Sequence, residues 1–353
     1  MDFSIFKGKK VLVTGSTGFK GSWLCTWLTQ LGADVAGFAL APKPDAPLFD
    51  QLKLRDRIDQ HDGDIRDLDT VMAVFEAVQP EIVIHLAAQA LVRDSYDDPK
   101  TTFDTNVGGA TNLLEAVKAS KSIKALVFIT SDKCYRNKEW IWGYRENDEL
   151  GGHDPYSGSK AAAELVFASY QDSFFAHQDG FAAATTRAGN VIGGGDFSAN
   201  RIVPDCIRSL QKGEEIVLRS PNATRPWQHV LEPLSGYLVI ARELLLNPEA
   251  TAGAWNFGPE PENVRTVEEL TKKAIDVWGS GALRVEAADS KLHEANLLML
   301  NIDKAKTKVN WHPQWDFEQA VEKTVSWYKR VDEGEDPIAV TEDHLAAYLA
   351  GAK

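Results

Sequence analysis

The sequence predicts an α/β fold: a doubly wound parallel sheet with a smaller C-terminal domain. Three observations predict it. Short apolar, β-rich runs alternate with segments of helical periodicity. A glycine-rich turn joins the first run to the first helix. From about residue 190 glycine, proline and tryptophan become frequent, as in "GNVIGGGDF" and "SPNATRPWQHV", and the alternation stops.

Taken in order, "KVLVTG" is a buried-strand pattern ending in glycine, and "SWLCTWLTQLG" has helical spacing and a terminal glycine. "ADVAGFAL" is a second strand. "DLDTVMAVFEAVQP" is a helix opened by acids and closed before proline. "EIVIHLAA" and "ALVFITS" are further buried strands, with "TNLLEAVKAS" between them and "SKAAAELVFASYQDSFF" after them as helices. In the second part, "TVEELTKKAIDVWG" and "FEQAVEKTVSWYKR" are helical. These patterns divide the chain into a nucleotide-binding domain over 1–189, with a returning segment about 228–257, and a second domain over 190–330. An acidic tail, 331–353, carries one short helical stretch, "EDHLAAYLA".

A chain of 353 residues can bury a substantial core, and its 44% hydrophobic and 25% charged content places it among ordinary globular proteins. A net charge of -13 argues against nonspecific binding to nucleic acid or anionic membranes. Three widely spaced cysteines, Cys25, Cys134 and Cys206, fit reduced thiols better than disulfides or a zinc site, so no metal is expected. The N-terminus lacks a signal-peptide pattern, and no apolar run reaches the roughly 20 residues of a membrane span. A cytoplasmic location is expected.

"VLVTGSTGFKGSWL" places Gly15, Gly18 and Gly21 between a strand and a helix, with Thr17 and Phe19 in the same turn. Glycines there let backbone N–H groups approach a pyrophosphate at the positive end of the helix, the Rossmann-type arrangement for a dinucleotide. Asp64 and Ile65, in "GDIRD", suit the loop that holds the adenine. The second strand ends "FALAPK", without the usual acid for the adenosine ribose, and Lys43 is only a modest candidate for a 2′-phosphate. These residues alone leave NAD and NADP both open.

"YSGSK" sets Tyr156 and Lys160 four residues apart on one helix face. A phenol has a pKa of about 10, and a neighbouring ammonium favours the phenolate. Such a tyrosine can take a proton from a sugar hydroxyl as hydride leaves the same carbon. Ser131, Asp132 and Lys133 stand upstream at the end of a strand.

In order along about residues 8–330, "TGSTGFKG", "HLAAQ", "NVGGATNLLEA", "TSD", "YSGSK" and "RAGNVIGGGD" resemble the extended short-chain dehydrogenase/reductases. "TSDKCY", "WIWGYREN", "RPWQHVLEPLSGY" and "WNFGP" resemble the nucleotide-sugar 4,6-dehydratases within it. Related dehydratases acting on dTDP-glucose carry an Asp-Glu pair; here the glutamate position is Lys133.

The resemblance implies NAD as cofactor and CDP-glucose as substrate, converted to a 4-keto-6-deoxy sugar nucleotide and water. That product is a precursor of dideoxyhexoses in bacterial O-antigens. It implies that Thr130 contacts the cofactor and that Ser131 and Tyr156 bind the 4-hydroxyl. Lys160 holds the nicotinamide ribose, while Asp132 and Lys133 handle the C6 and C5 protons. Ala87, Gln89 and Asn106 line or support the cofactor cleft. Asn190, Arg201, Arg225 and His293 fall where the family binds the nucleotide diphosphate, and arginine suits a pyrophosphate through paired, charge-assisted hydrogen bonds. Family precedent further implies a homodimer, or a homotetramer, packed through the helices around 107–119 and 157–172. A 4-epimerase would need the Ser–Tyr–Lys set but neither an acid at 132 nor an amine at 133. A non-catalytic dinucleotide sensor would have lost Tyr156 or Lys160, and both are present.

Overall fold

The structure is a computed structural model that describes residues 2–286 and 297–351. Seven parallel strands form its centre: β1 (Lys10–Thr14), β2 (Asp34–Ala39), β3 (Asp59–Asp62), β4 (Ile82–His85), β5 (Ala125–Ile129), β6 (Ala182–Ala188) and β7 (Gly253–Phe257). Their order across the sheet is β7-β6-β5-β4-β1-β2-β3. The chain starts at β1, runs out to β3, and returns to β4 on the other side of β1. Val11 is therefore paired to Val35 on one side and to Ile82 on the other. At such a reversal the loops after β1 and β4 part and leave a crevice at the carboxyl ends of the strands.

The pleat sorts the strand residues between two cores. Val11, Val13, Ile82, Ile84 and Val127 face one side, and Leu12, Val83, Leu126 and Phe128 the other. The second side is covered by α2 (Leu68–Val78), α3 (Ala110–Ala119) and α4 (Pro155–Ser173). The first is covered by α1 (Phe19–Gln30) and by α6 (Leu231–Leu246), which follows α5 (Ile202–Lys212) in the chain. Nearly every residue of α6 from Leu231 to Ala241 is buried, as expected of a helix apolar all round. Three longer helices follow, α7 (Val267–Trp278), α8 (Phe317–Asp332) and α9 (Pro337–Gly351), and shorter helical segments, such as Pro99–Phe103 and Asp303–Val309, lie in the connections. Three two-stranded ladders join segments beyond β6, among them 224–225 with 265–266.

The structure departs from the sequence reading in local ways. β4 stops at His85 rather than Ala88, because Leu86 and Ala87 turn to bond Thr14 across the crevice. The strands β3 and β6 carry the sequences DQHD and AAATTRA, which have no strong apolar run. Residues 337–351 form a full helix, α9, whose Val340, Leu345 and Tyr348 are buried against the core. No helix among the described residues is long and apolar enough to cross a membrane.

Candidate active site

A cleft of about 890 Å³ opens at the carboxyl ends of the strands. Gly15, Thr17, Gly18, Phe19 and Gly21 form one wall, where β1 turns into α1. A Cβ on Gly21 would lie 2.1 Å from the Gly15 carbonyl oxygen, so only glycine lets helix and loop pack this tightly. Thr17 Oγ1 donates to the Leu40 carbonyl at 2.9 Å, tying the loop to the end of β2. Asp64 and Ile65 line the same end of the cleft, and Asp64 pairs with Arg66.

Ala87 and Gln89, just past β4, line the middle. Asn106 lies behind that wall and is buried. It accepts from the Gln89 N–H at 2.8 Å and donates to the Gln89 carbonyl at 3.0 Å. It also donates to Ser159 Oγ at 2.8 Å, and Ser159 in turn donates to the Tyr156 carbonyl at 2.7 Å. One amide side chain thus fixes the loop after β4 against the start of α4. Asn106 sits in a π-helical turn, 104–109, a local irregularity of the kind found at functional sites.

Thr130 and Ser131 leave the sheet at the end of β5, and Asp132–Cys134 close a 3₁₀ turn. Ser131 Oγ donates to Asp132 Oδ1 at 2.9 Å and accepts the Lys133 N–H at 3.2 Å. Thr130 donates to Glu164, which is buried in an ion pair with Arg187 at 2.8 Å. Arg187 also donates to the Tyr135 hydroxyl at 2.7 Å, and Tyr135 to Asn256 at 2.8 Å. This fully paired network stands behind the turn and holds it rigid.

Tyr156 and Lys160 project from the first turns of α4, which Asp154 caps by accepting the Ser157 N–H at 2.9 Å. Both are buried and line the cleft beside Ser131, Asp132 and Lys133. Burial pushes the Lys160 ammonium down to about 8, with Glu164 opposing. Burial pushes the Tyr156 phenol up to about 12; a hydrogen bond with Ser131 draws it down, and the Asp132 charge pushes it up. Among protein groups, burial therefore outweighs the expected pull of a neighbouring ammonium, and the cation that lowers the phenol is Arg201.

Asn190, Arg201 and Arg225 line the far end of the cleft. Arg201 pairs with Asp196 at 2.9 Å, and Arg225 sits in the 224–225 ladder. His293 lies outside the described residues. The sequence reading missed Lys20. It lines the cleft with its Nζ 3.4 Å from the Tyr237 hydroxyl, and burial pushes it down to about 7, with Arg201 adding to the shift. The signal was available: a lysine opening a helix whose next eight residues, Gly21–Leu28, are all buried.

The chain is 45% identical, over 99% of its length and 99% of the relative's, to the CDP-glucose 4,6-dehydratase of Salmonella typhimurium. Its fold matches that of an epimerase from Methanothermobacter thermautotrophicus with a TM-score of 0.79 and 22% identity, covering 94% of this chain and 95% of that one. It matches a dTDP-glucose 4,6-dehydratase from Streptomyces venezuelae, solved with NAD and TYD bound, with a TM-score of 0.78 and 24% identity, covering 93% and 99%. A family model described as GDP-mannose 4,6 dehydratase matches residues 12–324. Family model and full-length relative agree with the cleft's Ser–Tyr–Lys set on a glycine-loop sheet, and the chain belongs to this dehydratase family of the extended short-chain dehydrogenase/reductases.

Proposed function

We propose that the chain removes water from CDP-glucose, giving CDP-4-dehydro-6-deoxyglucose, with NAD as its bound cofactor. The observation that carries this reading is the meeting of two sets in one cleft. Tyr156, Lys160 and Ser131 suffice for oxidation at C4, and Asp132 and Lys133 beside them add the proton carriers that an elimination needs.

The residues fit NAD. The glycine loop leaves bare backbone at the start of α1, facing the cleft, where a pyrophosphate is favoured by N–H groups and helix dipole. Gly15, Thr17, Gly18, Phe19 and Gly21 would hold that pyrophosphate. Asp64 and Ile65 would hold the adenine, and Lys160 with Thr130 and the Asn106-braced loop the nicotinamide ribose. When bound, NAD supplies the hydride acceptor for C4 and the hydride donor for C6. β2 ends at Ala39 with no acid in its last positions, so we expect the cofactor to be retained less firmly than where a carboxylate grips the ribose.

On the substrate, Tyr156 takes the 4-hydroxyl proton. The ketone formed at C4 acidifies C5, where Lys133, directly or through a water, accepts the proton. Asp132, buried beside Ser131, gives a proton to the departing C6 hydroxyl. Asn190, Arg201 and Arg225 hold the diphosphate. Leu165, exposed on α4, supports a homodimer packed through the helices around 107–119 and 157–172. The three buried free thiols suit a cytoplasmic setting.

Incubation with CDP-, dTDP-, UDP- and GDP-sugars, with and without NAD, tests the reading. A 4-keto-6-deoxy product from CDP-glucose without net NADH is expected. A C4 epimer, or NADH in step with product, would overturn it.

A further inference from the structure

In the reading above, water leaves as the C6–O bond breaks and Asp132 gives its proton to the departing oxygen, while Lys133 takes the proton from C5. A carboxyl that does this must keep one oxygen within hydrogen-bond reach of O6, and a misplacement of about 1 Å can cost on the order of 10²-fold in rate. Rotation of a carboxyl about its Cβ–Cγ bond is soft, so its surroundings have to set it. Ser131 sets one oxygen by donating to Asp132 Oδ1 at 2.9 Å, and among the described residues it is the carboxyl's one hydrogen-bond partner. Oδ2 is held by shape instead. The backbone of Gly189, the residue after β6, lies against it: a Cβ there would stand 1.9 Å from Oδ2 and 2.1 Å from Cγ. Such a wall confines Oδ2 without spending its hydrogen-bonding capacity, which stays free for O6.

The wall is itself clamped. Gln228, 1% exposed, donates from Nε2 to the Gly189 carbonyl at 3.1 Å and to the Phe257 carbonyl, at the end of β7, also at 3.1 Å. Both amide hydrogens are thus spent across the ends of two neighbouring strands. The Gln228 backbone N–H donates to the Asn190 carbonyl at 3.2 Å, and Gln228 pairs with Val191 in a short ladder. Three successive residues after β6 are therefore fixed by one glutamine. Its Oε1 is buried without a partner among the described residues. An apolar side chain of that size would fill the place without the cost of an unpaired oxygen, so what the amide adds is its two N–H bonds. Gln228 does not line the main cleft, and it acts on the site through Gly189. Behind the carboxyl a small cavity of about 10 Å³, walled by Asp132, Gly189, Gln228 and Phe257, gives Asp132 room to withdraw if Gly189 shifts.

We propose that Gly189 and Gln228 are positioning residues for the loss of water: Gln228 clamps the Gly189 backbone, and that backbone holds the Asp132 carboxyl with Oδ2 free to serve O6. The proposal rests on the dehydratase reading. Oxidation at C4 runs through Tyr156 and does not need this wall, so a fault in it slows one step and spares the other.

The test uses NAD-loaded protein in single turnovers with CDP-glucose. The rise of bound NADH follows oxidation at C4, and quenched samples follow the 4-keto-6-deoxy product. Gly189→Ala should oxidise C4 within about threefold of wild type and lose water on the order of 10²-fold more slowly. Gln228→Met, which keeps the bulk and removes both donors, should slow that second step about tenfold and spare the first. Each change is then repeated in Asp132→Ala, where the carboxyl is gone, and neither should slow the residual loss of water by more than about twofold. Should Gly189→Ala fail to fold, Gln228→Met decides by the same criteria. Loss of water within about threefold of wild type in either variant, equal slowing of both steps, or the same slowing repeated in the Asp132→Ala background would overturn the proposal and leave the dehydratase reading standing. So would loss of water at the wild-type rate in Asp132→Ala itself. Wild type that forms no 4-keto-6-deoxy product would remove the dehydratase reading, and the proposal with it.

Discussion

Two places in this protein bury a carboxyl, a phenol and a serine hydroxyl together. One is the cleft, with Asp132, Tyr156 and Ser131. The other lies under α6, with Glu232, Tyr348 and Ser235. In the second, Glu232 accepts the Gln314 N–H at 3.1 Å, the Trp315 N–H at 2.8 Å and the Tyr348 O–H at 2.8 Å. Ser235 accepts from Trp311 Nε1 at 2.8 Å and shares a 2.9 Å bond with Tyr348. Every one of those groups is satisfied from within and none lines the cleft. The same chemical trio serves chemistry in one place and fastens α9 and the 311–315 segment to the sheet in the other. A perturbed titratable group is therefore no site by itself. Hydrogen-bonding capacity turned toward a cavity is what sets the cleft apart.

The same change made in both trios should give opposite results. Tyr156→Phe removes the proton acceptor for O4 and should lower kcat on the order of 10²–10⁴-fold, with substrate affinity and Tm little changed. Turnover within about threefold of wild type would break the comparison at its first member. Tyr348→Phe leaves Glu232 and Ser235 short of a partner and should cost about 1–3 kcal/mol of folding stability, with kcat retained. Urea unfolding beside a steady-state assay checks it, and a variant of unchanged stability would show that the buried trio does not fasten the tail.

The sealed trio should also have a pH signature. Burial raises the Glu232 carboxyl to about 7, against hydrogen bonds from Trp315, Tyr348 and Gln314 that pull it down. A carboxyl raised in the folded state binds its proton more firmly there than when unfolded. Its contribution is present below the unfolded value, 4.5, and is lost as pH rises through about 7. Relative to Glu232→Gln, wild type should lose on the order of 3 kcal/mol across that window. A difference that stays flat with pH would mean that the carboxyl is not held in this state.

The larger features were legible in the sequence because each rests on a strong local signal. β1, α1 and the glycine turn follow from an apolar run, a helical period and three glycines at fixed spacing. Ser131, Asp132, Lys133, Tyr156 and Lys160 lie within thirty residues of one another on a strand end and a helix start, so topology had only to bring two ends together. β6 was not legible, since alanine and threonine give little apolar contrast, yet it pairs with both β5 and β7 and is wholly buried. β3 is a polar edge strand and shows no alternation. The roles of Glu232 and Tyr348 depend on a contact across 116 residues, which no local pattern announces.

Lys20, half-buried, tests the boundary between groups turned to the cleft and groups answered from within. It lines the cleft, as Tyr156 does, yet it has an internal partner in the Tyr237 hydroxyl at 3.4 Å. Burial pushes its ammonium down to about 7, Arg201 adds to the shift, and Asp132 opposes it. The group is thus charged below about 7 and neutral above. It stands on the first turn of α1, beside the loop read as the pyrophosphate site. If its charge serves the cleft, attraction for an anionic ligand is present at low pH and lost as pH rises through that value. NAD affinity, measured by titration calorimetry, should then fall about three- to tenfold between about pH 6 and about pH 8 in wild type. Lys20→Met should bind more weakly at the lower pH and match wild type at the higher one, with a nearly flat profile. If wild type and variant instead run parallel, Lys20 belongs with Glu232 and Tyr348, as a group answered from within.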